Sequence, residues 1–117
     1  MVTKPKPYRY PSDATTSIIR AKRRKMVEEQ ITNISQDIRS TIAEDSSVPR
    51  NVRSNVVTGL ETYLLNKKDD LDLRVYSTIS VLEEQINDTN IPQHARTRLF
   101  EFIRDLEGIA RKWEKSS

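Results

Sequence analysis

Two stretches decide how this chain should fold: "DSSVPRNVR" at Asp45–Arg53 and "DTNIPQHAR" at Asp88–Arg96. Both read Asp, two small polar residues, an aliphatic, Pro, two variable residues, an apolar residue and Arg. Polar side chains cap a helix start. Proline suits the first helical turn, because the N–H it lacks has no intrahelical partner there. Each stretch therefore reads as an instruction to stop one helix and begin the next.

Working outward, Val27, Ile31, Ile34, Ile38 and Ile42 recur at helical spacing and predict a first helix, capped by Ser12 or Asp13 and ending near Glu44. After Pro49, the stripe Val52, Val56, Leu60 and Tyr63 predicts a second helix, with Val57 and Leu64 beside it. "NKKDD" at Asn66–Asp70 is a polar break. A third helix from about Asp70 to Asn87 would bury Val75, Ile79, Leu82 and Ile86. The fourth opens at Pro92, with the stripe Ala95, Leu99, Phe102, Ile103, Leu106, Ile109 and Trp113.

An offset of 43 aligns Pro49 with Pro92 and Arg53 with Arg96. The preceding helices align best at 44, Ile38 with Leu82 and Ile42 with Ile86, so one residue is gained or lost in the turn. The expected fold is all-α: four helices as two related helix–turn–helix hairpins. The period falls within the range of about 40–47 of HEAT-type helical pairs. Two repeats are few for a solenoid, which leaves a HEAT-like pair, a closed four-helix bundle or a dimer.

Composition agrees. The 117 residues include two glycines, too few for the many special turns of an all-β fold, and no cysteine. Disulfides, thiol nucleophiles and thiolate metal sites are excluded, and the absence of cysteine fits a reducing cytoplasm. No apolar run approaches the roughly 18 residues of a spanning helix, and the basic N-terminus lacks a signal peptide's apolar core. A cytoplasmic protein without a membrane partner is expected.

The net charge of +3 is unevenly spread. Residues 1–25 carry eight basic side chains against Asp13 alone, a net of +7; the rest carry twelve basic and sixteen acidic, a net of −4. The expected organisation is an extended basic arm at 1–13, proline-rich and unable to fold alone, and a helical domain at 14–117.

Between "SSVPRNVR", "VYSTISVLEEQINDTNIPQHARTRL" and "FIRDLE", the chain resembles uncharacterised archaeal protein family 0147 over roughly residues 30–110. The likeness lies in the turn Val48–Arg53, the helix at Val81–Glu84 and the turn Asp88–Arg96. Thr89 stands where the family tends to have Pro, and the second helix is less alanine-rich than the family pattern. The resemblance implies an archaeal source and a compact helical fold. It implies no activity, and the basic arm lies outside it.

Candidate chemistry is sparse. His94, the single histidine, could act as a base or join Asp88 on a metal, but no Cys or second His completes an ordinary zinc site. Near a helix start it reads as a turn or surface residue. Asp69, Asp70 and Asp72 lack the spacing of a calcium loop and suit a helix dipole better. Glu28–Glu29 and Glu83–Glu84 read as solvated faces. Arg53 and Arg96 share one slot and read as structural bridges, to an acid of the neighbouring unit, or as phosphate contacts. No cofactor, metal or catalysis is expected.

The basic segment carries the functional expectation. Extrapolated backwards, the first helix's stripe changes from Val27 to Arg24 and Arg20, which cannot be buried unpaired. The helix should therefore project beyond the body, cationic on nearly every side through Arg20, Lys22, Arg23, Arg24 and Lys25. Ahead of it, Lys4, Lys6 and Arg9 alternate with Tyr8 and Tyr10. Cations neutralise phosphates and tyrosines stack on unpaired bases. These ten residues are the candidate nucleic-acid contacts. The expected function is non-catalytic RNA binding by a ribosome-associated component, with rRNA and ribosomal proteins as partners. The alternative is a protein–protein adaptor or homo-oligomer, a homodimer included. Duplex DNA ranks lower, because no helix presents polar side chains suited to reading a major groove.

Overall fold

The structure, a computed structural model, describes the backbone of residues 13–116 and the side chains of residues 17–114. Helix α1 runs Asp13–Ile38 and widens into a π-helical turn at Arg39–Ala43. Helix α2 runs Arg50–Gly59 and ends in a second π-helical turn at Leu60–Leu64. Helix α3 is Leu71–Ile86 and α4 is Gln93–Ser116. There is no strand among the described residues. The expected extended arm at residues 1–12 lies outside them; Asp13, assigned to that arm from sequence, already belongs to α1.

Helix α4 packs against both α3 and α1, α2 packs against α3 and the first π-helical turn, and α1 touches the second π-helical turn. The expected stripes meet in one core: Ile31, Ile38 and Ile42 with Val52, Val56, Leu60, Leu64, Leu82, Leu99 and Leu106 are essentially inaccessible. Each such side chain contributes roughly 1.5–3 kcal/mol of burial. Tyr63, expected in the core, is exposed. The wider π-helical turn rotates the last residues of α2, so Leu64 takes the inner position instead. Gly59 lets α2 approach α3: a Cβ there would lie 2.8 Å from Val81 Cγ1.

The turns hold the main surprise. In the first, Ser47 N donates to Asp45 Oδ1 (2.9 Å), Val48 N to Asp45 O (3.1 Å) and Arg53 N to Pro49 O (3.0 Å). In the last, Asn90 N donates to Asp88 Oδ1 (2.8 Å), Ile91 N to Asp88 O (3.3 Å) and Arg96 N to Pro92 O (3.0 Å). The polar break between α2 and α3 repeats the scheme: Lys68 N donates to Asn66 Oδ1 (3.1 Å), Asp69 N to Asn66 O (3.3 Å) and Arg74 N to Asp70 O (3.0 Å). "NKKDDLDLR" at Asn66–Arg74 is thus a third copy of the phrase. Asp70 occupies the proline slot with φ −64° and ψ 149°, beside −54° and 144° for Pro49.

The final arginine of each copy ties its helix to the preceding turn or helix end. Arg53 Nε donates to Val48 O (3.0 Å), Arg74 Nε to Leu64 O (3.0 Å) and Arg96 Nε to Ile86 O (3.1 Å). These bonds satisfy carbonyls that a helix end or tight turn leaves without partners. Arg53 and Arg96 are structural, as read from sequence, although their partners are carbonyls rather than acids.

Candidate nucleic-acid interface

Each side chain from residue 17 to residue 26 is exposed, and Val27 is the first buried one. The packed body begins where the stripe turns aliphatic. Arg20, Lys22, Arg23, Arg24 and Lys25 all sit on this exposed stretch of α1. Successive residues on a helix are about 100° apart, so these five point to different sides. Lys4, Lys6, Tyr8, Arg9 and Tyr10, the other candidate contacts, lie outside the described residues.

Arg24 is anchored. Its Nε is 3.9 Å from Glu28 Oε2, and its guanidinium lies 6.0 Å from the centroid of the Trp113 ring. Arg23 and Lys112 also carry interactions of their own. Three exposed apolar side chains, Ile18, Ile19 and Met26, are interspersed with the cations. They fall outside the core stripe, so helical periodicity gives them no signal in the sequence.

Glu28 is not the solvated residue expected of it. It is four-fifths buried and takes both terminal nitrogens of Arg74, Nη1 to Oε2 at 2.7 Å and Nη2 to Oε1 at 2.9 Å. Arg74 is 1% exposed. Its hydrogen bond holds the Glu28 carboxyl below the ordinary range. Burial opposes that shift, while the charges of Arg74, Lys67 and Arg24 reinforce it. The root of the cationic segment is therefore pinned to the turn between α2 and α3. Lys25, Glu28, Glu29, Thr32, Asn33 and Lys67 line a shallow pocket of about 300 Å³ beside that contact.

The outer copies of the phrase meet at the other end. His94 Nε2 donates to Asp45 Oδ2 at 2.7 Å, and Asn51 Nδ2 donates to Asp88 Oδ2 at 3.3 Å. The first residue of each copy is bonded by the seventh residue of the other, so the contact is reciprocal. His94 pairs with Asp45, not with Asp88 as entertained from sequence. Ser47 Oγ donates to Asp45 Oδ1 at 2.6 Å and stands 3.5 Å from His94 Nε2. Serine and aspartate thus share one imidazole nitrogen. That geometry cannot relay a proton between them as a Ser–His–Asp triad does. The hydrogen bonds from Ser47 and His94 lower the Asp45 pKa to about 2.

Among the described residues, no three acidic, histidine or cysteine side chains are placed to hold a metal ion. Among them too, no helix is long and apolar enough to cross a membrane. A family model described as "uncharacterised protein family (UPF0147)" matches residues 18–109. A UPF0147 protein of Pyrococcus abyssi is 39% identical over 83 residues, 71% of this chain and 95% of that relative. One of Methanothermobacter thermautotrophicus is 42% identical over 84 residues, 72% of this chain and 80% of the relative. One of Thermoplasma volcanium is 40% identical over 70 residues, 60% of this chain and 78% of the relative. No solved structure matches the chain.

Proposed function

From the premise that this chain belongs to the archaeal family UPF0147, we propose that it is a non-catalytic RNA-binding protein, associated with the ribosome in the cytoplasm. The observation that carries this reading is the run Arg20–Lys25. It holds five cations, stands clear of the core and belongs to a body that is otherwise net negative. A helix charged on all sides suits phosphates approaching from several directions, as between RNA helices, better than one flat protein face. Lys4, Lys6, Tyr8, Arg9 and Tyr10 extend the same surface, with cations for phosphates and tyrosines for unpaired bases.

The body itself we read as two related hairpins closed into a four-helix bundle rather than an open HEAT-like pair. Packing of α4 on α1 supports closure, and the reciprocal bonds between the outer turns support the relation between halves.

The test is RNA binding by the full chain and by residues 26–117, measured across salt concentrations. The full chain should bind with a steep salt dependence, and the truncated body should not bind. Each phosphate contact on a single strand contributes about −0.7 to the log–log slope, so replacing the five α1 cations by Gln should flatten it by about 3.5. Salt-insensitive binding, or full binding by residues 26–117, would sink the reading. Sedimentation of cell lysate at low and high salt adds the assignment to a ribosomal subunit.

A second reading, a homo-oligomer or adaptor, is favoured by exposed Ile18 and Met26, 57% and 63% accessible on the same segment. Light scattering decides for it if a stable dimer forms free of nucleic acid while the N-terminal segment resists protease.

A further inference from the structure

The side of the molecule formed by the end of α2 and by α3 is the acidic one. From Leu60 to Asp88 seven acidic side chains stand against three basic, a net of −4, while α4 carries six basic against four acidic. One of the three bases, Arg74, is buried and taken by Glu28. Among the described residues, Asp70, Asp72 and Glu84 form no ion pair. The same side leaves apolar surface open to water. Leu73 is 54% exposed on α3, and Tyr63 is exposed at the end of α2. Ser77 and Ser80 follow Leu73 on one face of α3, at spacings of four and three. With Tyr63, Val81 and Glu84 they line a pocket of about 260 Å³. Apolar surface bordered by unpaired carboxylates fits a cationic peptide whose aliphatic stems can lie along it.

We propose that this face is the docking site of the chain's own N-terminal segment, "VTKPK" at Val2–Lys6, and that the docked segment competes with RNA. Charge favours it: residues 1–12 carry Lys4, Lys6 and Arg9 and no acid. Reach favours it too. The exposed start of α1, residues 13–26, spans about 20 Å at 1.5 Å per residue. The twelve residues before it span about 37 Å in the polyproline form that Pro5, Pro7 and Pro11 favour. Folded back, they come level with the body near Lys6, because Arg74, the neighbour of Leu73, lies against Glu28 at the root of that stretch. Lys4 and Lys6 then meet Asp70 and Asp72, their stems cross Leu73, and Val2 enters the pocket beside Tyr63. Single surface ion pairs are weak, but a tether sets an effective concentration near the millimolar range, so a weak contact suffices. The competition rests on the RNA reading, since Lys4 and Lys6 are among its candidate phosphate contacts. If the segment is docked about two-thirds of the time, apparent RNA affinity is lowered about threefold.

A zero-length carbodiimide, which joins an amine to a carboxylate in direct contact, tests the docking. The full chain is treated at low concentration and low salt, as an equal mixture of unlabelled and ¹⁵N-labelled copies, and the joined peptides are read by mass spectrometry. Lys4 or Lys6 should be joined to Asp70, Asp72 or Glu84 within one copy, and excess single-stranded RNA should suppress the links. Leu73→Ser changes no charge and alters an exposed side chain. Checked for an unchanged thermal transition, it should cut the yield of these links and tighten RNA binding about threefold. Links spread evenly over the acidic side chains overturn the inference, as does an unchanged yield in Leu73→Ser. Links between differently labelled copies also overturn it, by giving the face to a second copy. Any of these alongside salt-dependent RNA binding removes the docking and keeps the RNA reading. Links within one copy, in a chain that binds no RNA, keep the docking and remove the RNA reading.

Discussion

Arg74 is buried to 1% yet forms no part of the apolar stripe read from the sequence. A guanidinium can be enclosed when its donors find fixed acceptors. Here Nε and Nη2 both reach Leu64 O, at 3.0 and 2.8 Å, and the two terminal nitrogens take the Glu28 carboxylate. Removing one partner of such a pair costs more than the pair itself contributes. Arg74→Met is therefore expected to cost about 3 kcal/mol, leaving Glu28 and the Leu64 carbonyl without their donors. Glu28→Gln should cost less, since Arg74 keeps its carbonyl. Urea unfolding of both variants and the double mutant measures this, and a loss below about 1 kcal/mol for Arg74→Met would show the contact to be incidental. Glu28 was misread from sequence for a physical reason. Its position beside Val27 marks it only as adjacent to the stripe, and its partner lies 46 residues away on another helix.

At the scale of elements, the stripes of α1, α3 and α4 were legible because 3.6-residue periodicity in Ile, Val and Leu survives without any tertiary information. The third turn was not. Its first residue is Asn66 rather than Asp, and Asp69–Asp70 replace the aliphatic–Pro pair, so only the closing apolar residue and arginine are shared with the other copies. Main-chain hydrogen bonds reveal the likeness, and they also explain the offsets. The turns are spaced by 21 and then 22 residues, while Val52, Val56, Leu60 and Leu64 correspond in burial to Arg74, Thr78, Leu82 and Ile86, all at 22. The buried face of α3 is thus advanced by one residue relative to its turn. Arg74 falls on that face, and Leu73, in the slot of buried Val52 and Ala95, falls outside. The shared geometry has a consequence for Asp70. Its φ of −64° is a proline angle, its side chain makes no capping bond, and the outer copies place proline in the same slot. Asp70→Pro should raise stability by about 0.5–1 kcal/mol by restricting the unfolded chain. Thermal unfolding checks it, and a lowered transition temperature would show that the middle turn needs the N–H its counterparts lack.

Across the whole molecule, the two ends differ in kind. At one end the cationic stretch of α1 leaves the body beside Trp113 and the Glu28–Arg74 pair. At the other, Asp45–His94 and Asn51–Asp88 close the two outer turns on each other. The candidate contacts on α1 were legible as a change of charge along a stripe, but the closed end was not, because reciprocity between two distant turns has no local signature. The closed end should respond to acid. The Asp45 carboxyl is held at about 2 against an ordinary 3.8, by Ser47 and then by His94. A lowered folded-state pKa means the unfolded chain takes up the proton first. The stabilisation is therefore complete above the ordinary value and is lost as pH falls from about 4 towards 2. Glu28, lowered by Arg74, acts in the same direction from the opposite end. Asp45→Asn separates the two contributions. Followed by circular dichroism, its unfolding midpoint should fall less steeply than that of the unsubstituted chain between pH 4 and 2, and the two curves should run parallel at higher pH. Curves parallel through the acid range would mean that Asp45 titrates alike in both states. The outer turns would then be held by their main-chain bonds and Asn51–Asp88 rather than by the His94 contact.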